Sequence, residues 1–193
     1  MTRMLLKEGL LSCLANNSFE SVTVTSLCKA SGITRSTFYL HYSNIMEIVD
    51  DLVDDAIAYS KPGMVDNNNL QIIANTLSVA SNSVSLREAY DSIFDRLPLC
   101  QRIIRHKKYL PLFLDEQISE YVLQRIIGSE KDRQGLVMAE ALGISFDVGV
   151  SVFVFLVHGL YAINKEYKWT QSDEWLEAQK VIFELVYRGL QSK

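Results

Sequence analysis

Long stretches of this 193-residue sequence contain neither proline nor glycine, because the chain holds only 3 prolines and 9 glycines. These residues are the strongest local breakers of regular structure, so their scarcity favours long helices. Apolar residues recur at spacings of three and four along most of the chain, which is typical of helices with one buried face. The β-branched residues within 145–168 could also form a buried strand, but 24 residues without a clear turn signal favour a helix. We therefore predict an all-α fold.

The helix periodicity also predicts where the elements divide, and the charge changes from mildly basic to acidic between residues 1–46 and 47–193. We expect a three-helix head over residues 1–46 and a larger helical body over residues 47–193. The predicted helices cover residues 4–16, 24–31, 35–40, 45–59, 70–79, 85–96, 98–109, 111–127, 132–142, 145–168 and 173–190. Asn44, with Glu47 three residues on, suits a capping-box-like start for the helix over 45–59, and Gly128 is expected to end the helix over 111–127.

The most informative segment runs from residue 23 to residue 42. Thr23 suits the N-cap of the helix over 24–31, and Gly32 suits the tight turn that follows it. Thr34 is placed to cap the next short helix, from which Phe38 and the following Tyr42 are expected to face the core. Two short helices joined by a glycine-containing turn predict a helix-turn-helix, whose second helix enters the major groove of DNA.

Together with the helix before it and the start of the helix after it, this segment resembles the N-terminal domain of the TetR family of transcriptional regulators. The resemblance spans about residues 4–55. The family pattern is similar to T-V-x-x-I-A-x-x-A-G-V-S-x-x-T-x-Y-x-H-F. Ten positions fit it identically or conservatively: Thr23, Val24, Leu27, Gly32, Ile33, Thr34, Thr37, Tyr39, His41 and Tyr42. The resemblance implies a repressor that binds a palindromic operator as a homodimer and is released by a small-molecule effector.

Eight residues of the head are predicted to contact DNA. Arg35 can bind guanine O6 and N7 with two hydrogen bonds, and the hydroxyls of Ser36 and Thr37 can bond to several base edges. Tyr39 and His41 resemble the aromatic ring and the imidazole that contact the DNA backbone in the family. The other candidates lie at helix positions that suit either a phosphate contact or a merely exposed or capping residue: Thr25, Lys29 and Thr34.

The body offers candidates for an effector pocket. Aromatic side chains and a histidine often line such pockets, and the same residues also suit an ordinary core. The candidates are Tyr90, Phe94, Phe113, Tyr121, Phe155 and His158.

The last two predicted helices, over 145–168 and 173–190, are apolar around more of their circumference than packing on one neighbour requires. Exposed apolar surfaces of that size usually mark an interface. We therefore predict a homodimer in which these helices form a four-helix bundle about a two-fold axis. A charge on the outward face, for example at Val186, is expected to disrupt it.

Composition excludes several other classes of protein. Cys13, Cys28 and Cys100 lack metal-ligand spacing, which argues against a disulfide scaffold or a zinc module and fits a reducing cytoplasm. The longest uncharged apolar stretch, residues 148–157, is shorter than the roughly 20 residues of a membrane span. We therefore predict a soluble, cytoplasmic protein with no membrane partner, cofactor or metal. No nucleophile–base pair or glycine-rich phosphate loop indicates an enzyme.

The distribution of charge leaves two functions open. The chain carries a net charge of −4, with +2 on residues 1–46 (four basic, two acidic) and −6 on the rest. This asymmetry favours a DNA-facing head. The charge of the head is nevertheless low, and Ile45 stands where the family usually has a lysine. The alternative is therefore a TetR-like coactivator or adaptor that acts mainly through a protein partner.

Overall fold

The computed structural model describes residues 1–60, 72–73, 75–77, 85–97, 101–102 and 107–191. Regular structure in these residues is entirely helical, without a strand, which confirms the predicted all-α class. We number the α-helices in chain order as α1 Thr2–Leu14, α2 Val24–Ser31, α3 Arg35–Tyr39, α4 Ile45–Ser60, α5 Leu86–Ser92, α6 Leu110–Leu114, α7 Ser119–Leu142, α8 Phe146–Glu166 and α9 Asp173–Gln191. Single turns of 3-10 helix lie at Phe19–Ser21 and Phe94–Arg96.

The chain divides into two compact units. The first comprises Met1–Tyr59 and Arg105–Ser129, and the second comprises Ser60–Ile104 and Glu130–Lys193. The first unit therefore includes nearly all of α4, beyond the functional boundary that we predict after residue 46. It also includes a segment from the middle of the sequence.

The core of the first unit is formed by the apolar faces of its helices. In it α1 packs against α2 and α6, and α2 packs against α3. Gly9 lies where α1 approaches α2 closely, and a Cβ there would lie 2.0 Å from Ser31 Oγ, so the Ser31 side chain would have to move. Side chains with no exposed surface come from α1, α2, α3 and α4 alike: Leu6, Leu10, Leu27, Phe38, Ile48 and Leu52.

The predicted division of residues 111–142 into helices over 111–127 and 132–142 is wrong. Instead, α6 ends at Leu114, and α7 runs unbroken from Ser119 to Leu142. Asp115 makes the break, because its Oδ1 accepts hydrogen bonds from the backbone N–H groups of Gln117 (3.0 Å) and Ile118 (3.2 Å) and so caps the next turn. Gly128 does not end α7, since glycine within a helix costs only about 0.5–1 kcal/mol relative to alanine.

In the second unit, α7 and α8 cross at a pair of glycines. A Cβ on Gly149 would lie 2.3 Å from the carbonyl oxygen of Gly135, so a larger residue would force the helices apart. Helix α5 packs against α9 in the same unit. Helix α8 ends two residues earlier than predicted, and Lys168 and Trp169 then adopt positive φ values of 50° and 57°.

The other predicted helices compare with the structure as follows. Those over 4–16, 24–31, 35–40, 45–59 and 173–190 are confirmed to within two residues at each end. The helix predicted over 85–96 consists of α5 and the 3-10 turn Phe94–Arg96. Of the helix predicted over 70–79, the described residues 72–73 and 75–77 are helical. Of the helix predicted over 98–109, residues 101–102 are helical, whereas residues 107–109 form a turn; the other residues of both predictions lie outside the described ones.

One described helix, α8, is long and apolar enough to cross a membrane, with a mean hydropathy of 1.9 over its most apolar 18 residues. A helix at the core or interface of a soluble protein has the same length and composition. A single helix of this kind is therefore weak evidence for insertion and remains compatible with a soluble protein.

Candidate nucleic-acid interface

The predicted capping residues fix the ends of α2 and the start of α3. Thr23 Oγ1 accepts a hydrogen bond from Ser26 N–H (3.1 Å), and Ser26 Oγ accepts one from Thr23 N–H (2.9 Å), which forms a reciprocal capping box. Gly32 ends α2 with a φ of 65°, in the left-handed region that favours glycine. Thr34 Oγ1 then accepts from Thr37 N–H at 3.2 Å and starts α3. Only three residues separate the two helices.

Helix α3 buries one side and exposes the other. Phe38 has no exposed surface, and its ring meets that of Tyr39 edge-on at 5.1 Å between centroids. Tyr42, just beyond the helix, is 3% exposed. These two residues therefore lie in the core, as predicted, and hold α3 with its polar side outward.

The exposed side carries the predicted DNA contacts. Thr37 is half-buried and the other seven candidates are exposed: Thr25, Lys29, Thr34, Arg35, Ser36, Tyr39 and His41. At the start of α3, Thr34 Oγ1 lies 3.0 Å from Ser36 Oγ and 2.8 Å from Thr37 Oγ1. The hydroxyls of Thr34, Ser36 and Thr37 thus form one cluster at the start of α3, next to Arg35 in the sequence. Because Thr34 Oγ1 also caps the helix, its first role is structural.

Leu40 is a surface residue that the sequence analysis missed. It directly follows α3 and exposes 82% of its surface, beside the half-exposed ring of Tyr39. An apolar residue next to a helix is normally expected in the core, so the sequence gives no signal for its exposure. An exposed leucine suits apolar contact with the C5-methyl group of thymine.

A polar cluster on the first unit connects α1, Tyr42 in the turn after α3, and α4. The Arg3 Nε–H donates to Tyr42 Oη (3.2 Å) and to Asp51 Oδ2 (3.0 Å), and the Tyr42 hydroxyl donates to Asp51 Oδ2 (2.6 Å). One helical turn on, Lys7 pairs with Asp55. Two basic residues four apart on α1 thus face two acidic residues four apart on α4, a matched spacing that is visible in the sequence.

Because of these ion pairs, only some of the basic side chains in residues 1–46 are available to bind a ligand. Arg3 and Lys7 supply half of the basic residues in 1–46 but are engaged by Asp51 and Asp55. Lys29 and Arg35 are exposed and form no ion pair with any residue that the structure describes. The candidate interface therefore carries two unpaired cations per chain.

The polar cluster shifts the pKa values of its two acidic members. Burial raises the pKa of Tyr42 to about 12, and the hydrogen bond from its hydroxyl to Asp51 acts in the same direction. Burial also tends to raise the pKa of Asp51, but the hydrogen bonds from Arg3 and Tyr42 outweigh it and hold the pKa below its ordinary value.

These shifts predict how the stability of the first unit depends on pH. Because the folded-state pKa of Tyr42 is raised, its contribution is complete below about pH 10 and is lost as the pH rises toward 12. The depressed pKa of Asp51 makes its contribution complete above about pH 4 and lost below that. We expect Tyr42→Phe to lower the free energy of unfolding by about 1 kcal/mol at pH 7.

The difference between Tyr42→Phe and the original protein should shrink as the pH rises from 10 to 12. Urea unfolding followed by circular dichroism at several pH values measures this difference. Tyr39→Phe, which removes an exposed hydroxyl from the same segment, is the matched control. A difference that stays constant up to pH 12 would contradict the proposed role of the Tyr42–Asp51 bond.

Helix α4 begins with a cap but without a cation. Glu47 Oε2 accepts from Ser43 N–H (2.8 Å), and Asn44 Oδ1 accepts from Glu47 N–H (3.2 Å), which confirms the predicted capping-box-like start. Ile45, at the position of the usual family lysine, is half-buried. The first turn of α4 therefore carries the acidic side chain of Glu47 and no cationic side chain for a phosphate.

The six candidate effector residues are distributed over both compact units. Phe113 and Tyr121 belong to the first unit, where Phe113 is buried and the hydroxyl of Tyr121 donates to Asp50 Oδ1 (2.5 Å). The other four belong to the second unit. There Tyr90 is buried, Phe94 and His158 are half-buried, and Phe155 exposes 73% of its surface. Tyr90 is thus the one candidate in the second unit with a fully interior side chain.

No family model, curated protein or solved structure matches this chain. Among the described residues, no three His, Cys, Asp or Glu side chains cluster as metal ligands. The described residues on the exposed side of α2 and α3 include hydroxyl groups that can form hydrogen bonds and the cationic side chains of Lys29 and Arg35.

Proposed function

We propose that this protein is a transcriptional regulator of the TetR type, which binds operator DNA with α3 in the major groove. The observation that carries the proposal is the two-sided character of α3. Phe38 fixes the helix to the core, while Arg35 and Ser36 extend into solvent. A short helix presented in this way, after a preceding helix and a tight turn, suits base recognition.

In this proposal the exposed residues divide into two groups. Arg35, Ser36 and Thr37 read base edges, with Arg35 bonded to guanine O6 and N7. The remaining candidates position the domain on the backbone: Thr25, Lys29, Thr34, Tyr39 and His41. Such a role places the protein in the cytoplasm with its DNA.

The second part of the proposal is a homodimer formed by α8 and α9. Phe155 on α8 is 73% exposed, and on α9 Leu185 is 65% and Val181 52% exposed. Gly159 lies one turn after Phe155, and no described atom outside its own stretch of helix lies within 4 Å of the position of a Cβ there, which allows close approach of another helix. A two-fold axis at this surface would pair two heads with a palindrome whose half-sites are about 34–36 Å apart.

We further propose that a small-molecule effector releases the DNA, so that the protein acts as a repressor. For this, the effector must bind more tightly to the form that does not bind the operator. The resemblance to the TetR family supports this part of the proposal. A coactivator or adaptor remains the second candidate, because Ile45 and the two unpaired cations give α2–α4 little charge for phosphate contact.

The test is a genome-wide selection of bound DNA fragments with the purified protein. Enrichment of a palindromic sequence supports the regulator. Failure to enrich any fragment would favour the adaptor.

On the selected operator, Arg35→Ala should weaken binding by about 1–3 kcal/mol and relax the preference at one base pair in each half-site. Lys29→Ala is the comparison, because loss of a phosphate contact weakens binding to all sequences equally. Titration of operator variants by fluorescence anisotropy measures both. An equal loss on every sequence for Arg35→Ala would make it a phosphate contact instead.

A further inference from the structure

Leu40 is the most exposed leucine in the part of the chain that the structure describes, with 82% of its surface in solvent. A single exposed leucine is ordinary on a protein surface, so its exposure alone indicates nothing. Its position distinguishes it, because it directly follows α3 and the half-exposed ring of Tyr39. The other exposed leucines lie on α6, α7 and α9: Leu114 (53%), Leu136 (53%) and Leu185 (65%).

The backbone keeps Leu40 on the outward side of α3. Its φ of −73° and ψ of −19° are helical, and its N–H donates to the carbonyl oxygen of Ser36 at 3.3 Å. Leu40 therefore lies one helical turn after Ser36, on the same face of the helix. Arg35 and Ser36, which bind base edges in the proposed function, are both exposed. Leu40 extends their face by one turn, whereas Phe38 and Tyr42, two residues before and after it, are buried.

The chemistry of the leucine side chain restricts which base it can recognise. Leucine has no hydrogen-bonding group, so it contributes to base recognition only through apolar contact. In the major groove, the apolar group that a base pair presents is the C5-methyl group of thymine. Against the other bases, the same side chain would remove water from donors and acceptors without replacing their hydrogen bonds, which costs free energy. An exposed leucine on a recognition helix therefore favours thymine and disfavours the other three bases.

We propose that Leu40 recognises the methyl group of one thymine in each half-site and is a specificity-determining residue. The inference rests on the proposed function, because it requires α3 in the major groove. Arg35 and Leu40 are five residues apart in the sequence, which is about 7–8 Å along a helix axis and corresponds to roughly two base pairs. We therefore expect the thymine about two base pairs from the guanine that Arg35 binds.

The test uses the full-length protein and the operator obtained from the genome-wide selection. Each thymine of one half-site is replaced in turn by deoxyuridine, which removes the C5-methyl group and leaves every hydrogen-bonding group in place. Loss of one buried methyl group corresponds to about a fourfold loss of affinity. We expect a loss of this size at one thymine and of less than about twofold at the others, measured by anisotropy titration.

Variants of Leu40 identify the side chain that contacts the methyl group. Leu40→Ala should bind the thymine and deoxyuridine operators with affinities within about twofold of each other. Leu40→Met keeps a long apolar side chain and should retain most of the preference for thymine. Leu114→Ala truncates an exposed leucine on α6 and is the matched control, with the preference unchanged. Because Leu40 is exposed, truncation should leave the fold intact, which circular dichroism checks.

Three results would overturn the role of Leu40. They are an operator in which no thymine can be distinguished from deoxyuridine, a thymine preference that Leu40→Ala retains, and a selected operator without thymine in its half-sites. In each of them the protein still binds an operator, so they contradict this inference and leave the regulator in place. Failure to enrich any DNA fragment contradicts the regulator itself, and the recognition of thymine with it.

Discussion

Leu185→Glu should convert the proposed dimer into monomers and abolish the proposed operator binding. Leu185 exposes 65% of its surface on α9, one turn after Val181, which exposes 52%. In a two-fold interface the substitution would bury two carboxylates, one from each chain, without counter-charges, which costs several kcal/mol. A monomer holds one half-site only and loses the contribution of the second head. Leu185 is a better position than Val186 for testing the interface, because Val186 is half-buried within its own chain.

Sedimentation velocity at micromolar concentration measures the change, with anisotropy titration of operator DNA as the second readout. Leu114→Glu is the matched control, since Leu114 is also an exposed leucine (53%) but lies in α6 of the first unit. We expect it to remain dimeric. Sedimentation of the original protein as a 21.9-kDa species would remove both the bundle interface and the palindrome argument.

Asp115→Ala should destabilise the first unit by about 3 kcal/mol. The Asp115 carboxylate accepts hydrogen bonds from three backbone N–H groups: Gln117 and Ile118 on Oδ1, and Phe19 on Oδ2 at 2.6 Å. It is 9% exposed, so alanine leaves these donors without the acceptor that replaced water. Bonds to a charged acceptor contribute about 1.5–3 kcal/mol each, and the loss of a helix cap alone costs about 1 kcal/mol.

Urea unfolding at pH 7 measures this loss as a shift in the midpoint. Glu116→Ala, at the exposed neighbouring residue, should change stability by less than about 0.5 kcal/mol. Asp115→Asn should lie between the two, because its amide keeps one oxygen acceptor. An Asp115→Ala protein as stable as the Glu116→Ala control would show that the connection between residues 19 and 115 contributes nothing.

Local chemistry accounts for how accurately α2 and α3 could be predicted. Thr23, Gly32 and Thr34 each act on backbone groups within three or four residues, so their capping roles depend on sequence neighbours alone. The apolar periodicity likewise identified Phe38 and Tyr42 as buried. The same local signal failed at Gly128, where a helix continues through a glycine because nothing there requires a left-handed backbone.

The eight predicted interface residues followed from helix geometry and a resemblance, and the structure exposes all of them except Thr37, which is half-buried. Leu40 escaped prediction because exposure depends on what the neighbouring elements cover. The matched spacing of basic residues on α1 and acidic residues on α4 gave only an indirect signal for the cluster of Arg3, Tyr42 and Asp51. Arg3 and Asp51 are 48 residues apart, so no local pattern pairs them.

The sequence by itself determined the helical class, both ends of α2, the start of α3 and the outward polar side of α3. These features depend on caps, glycine φ values and apolar spacing, which are properties of short segments. Only the tertiary structure decided that residues 105–129 join the head in one compact unit, where the Asp115 carboxylate accepts the N–H of Phe19, 96 residues away in the chain. Hydrogen bonds of this kind depend on which groups, far apart in the sequence, the fold brings close in space. No local sequence pattern encodes that proximity.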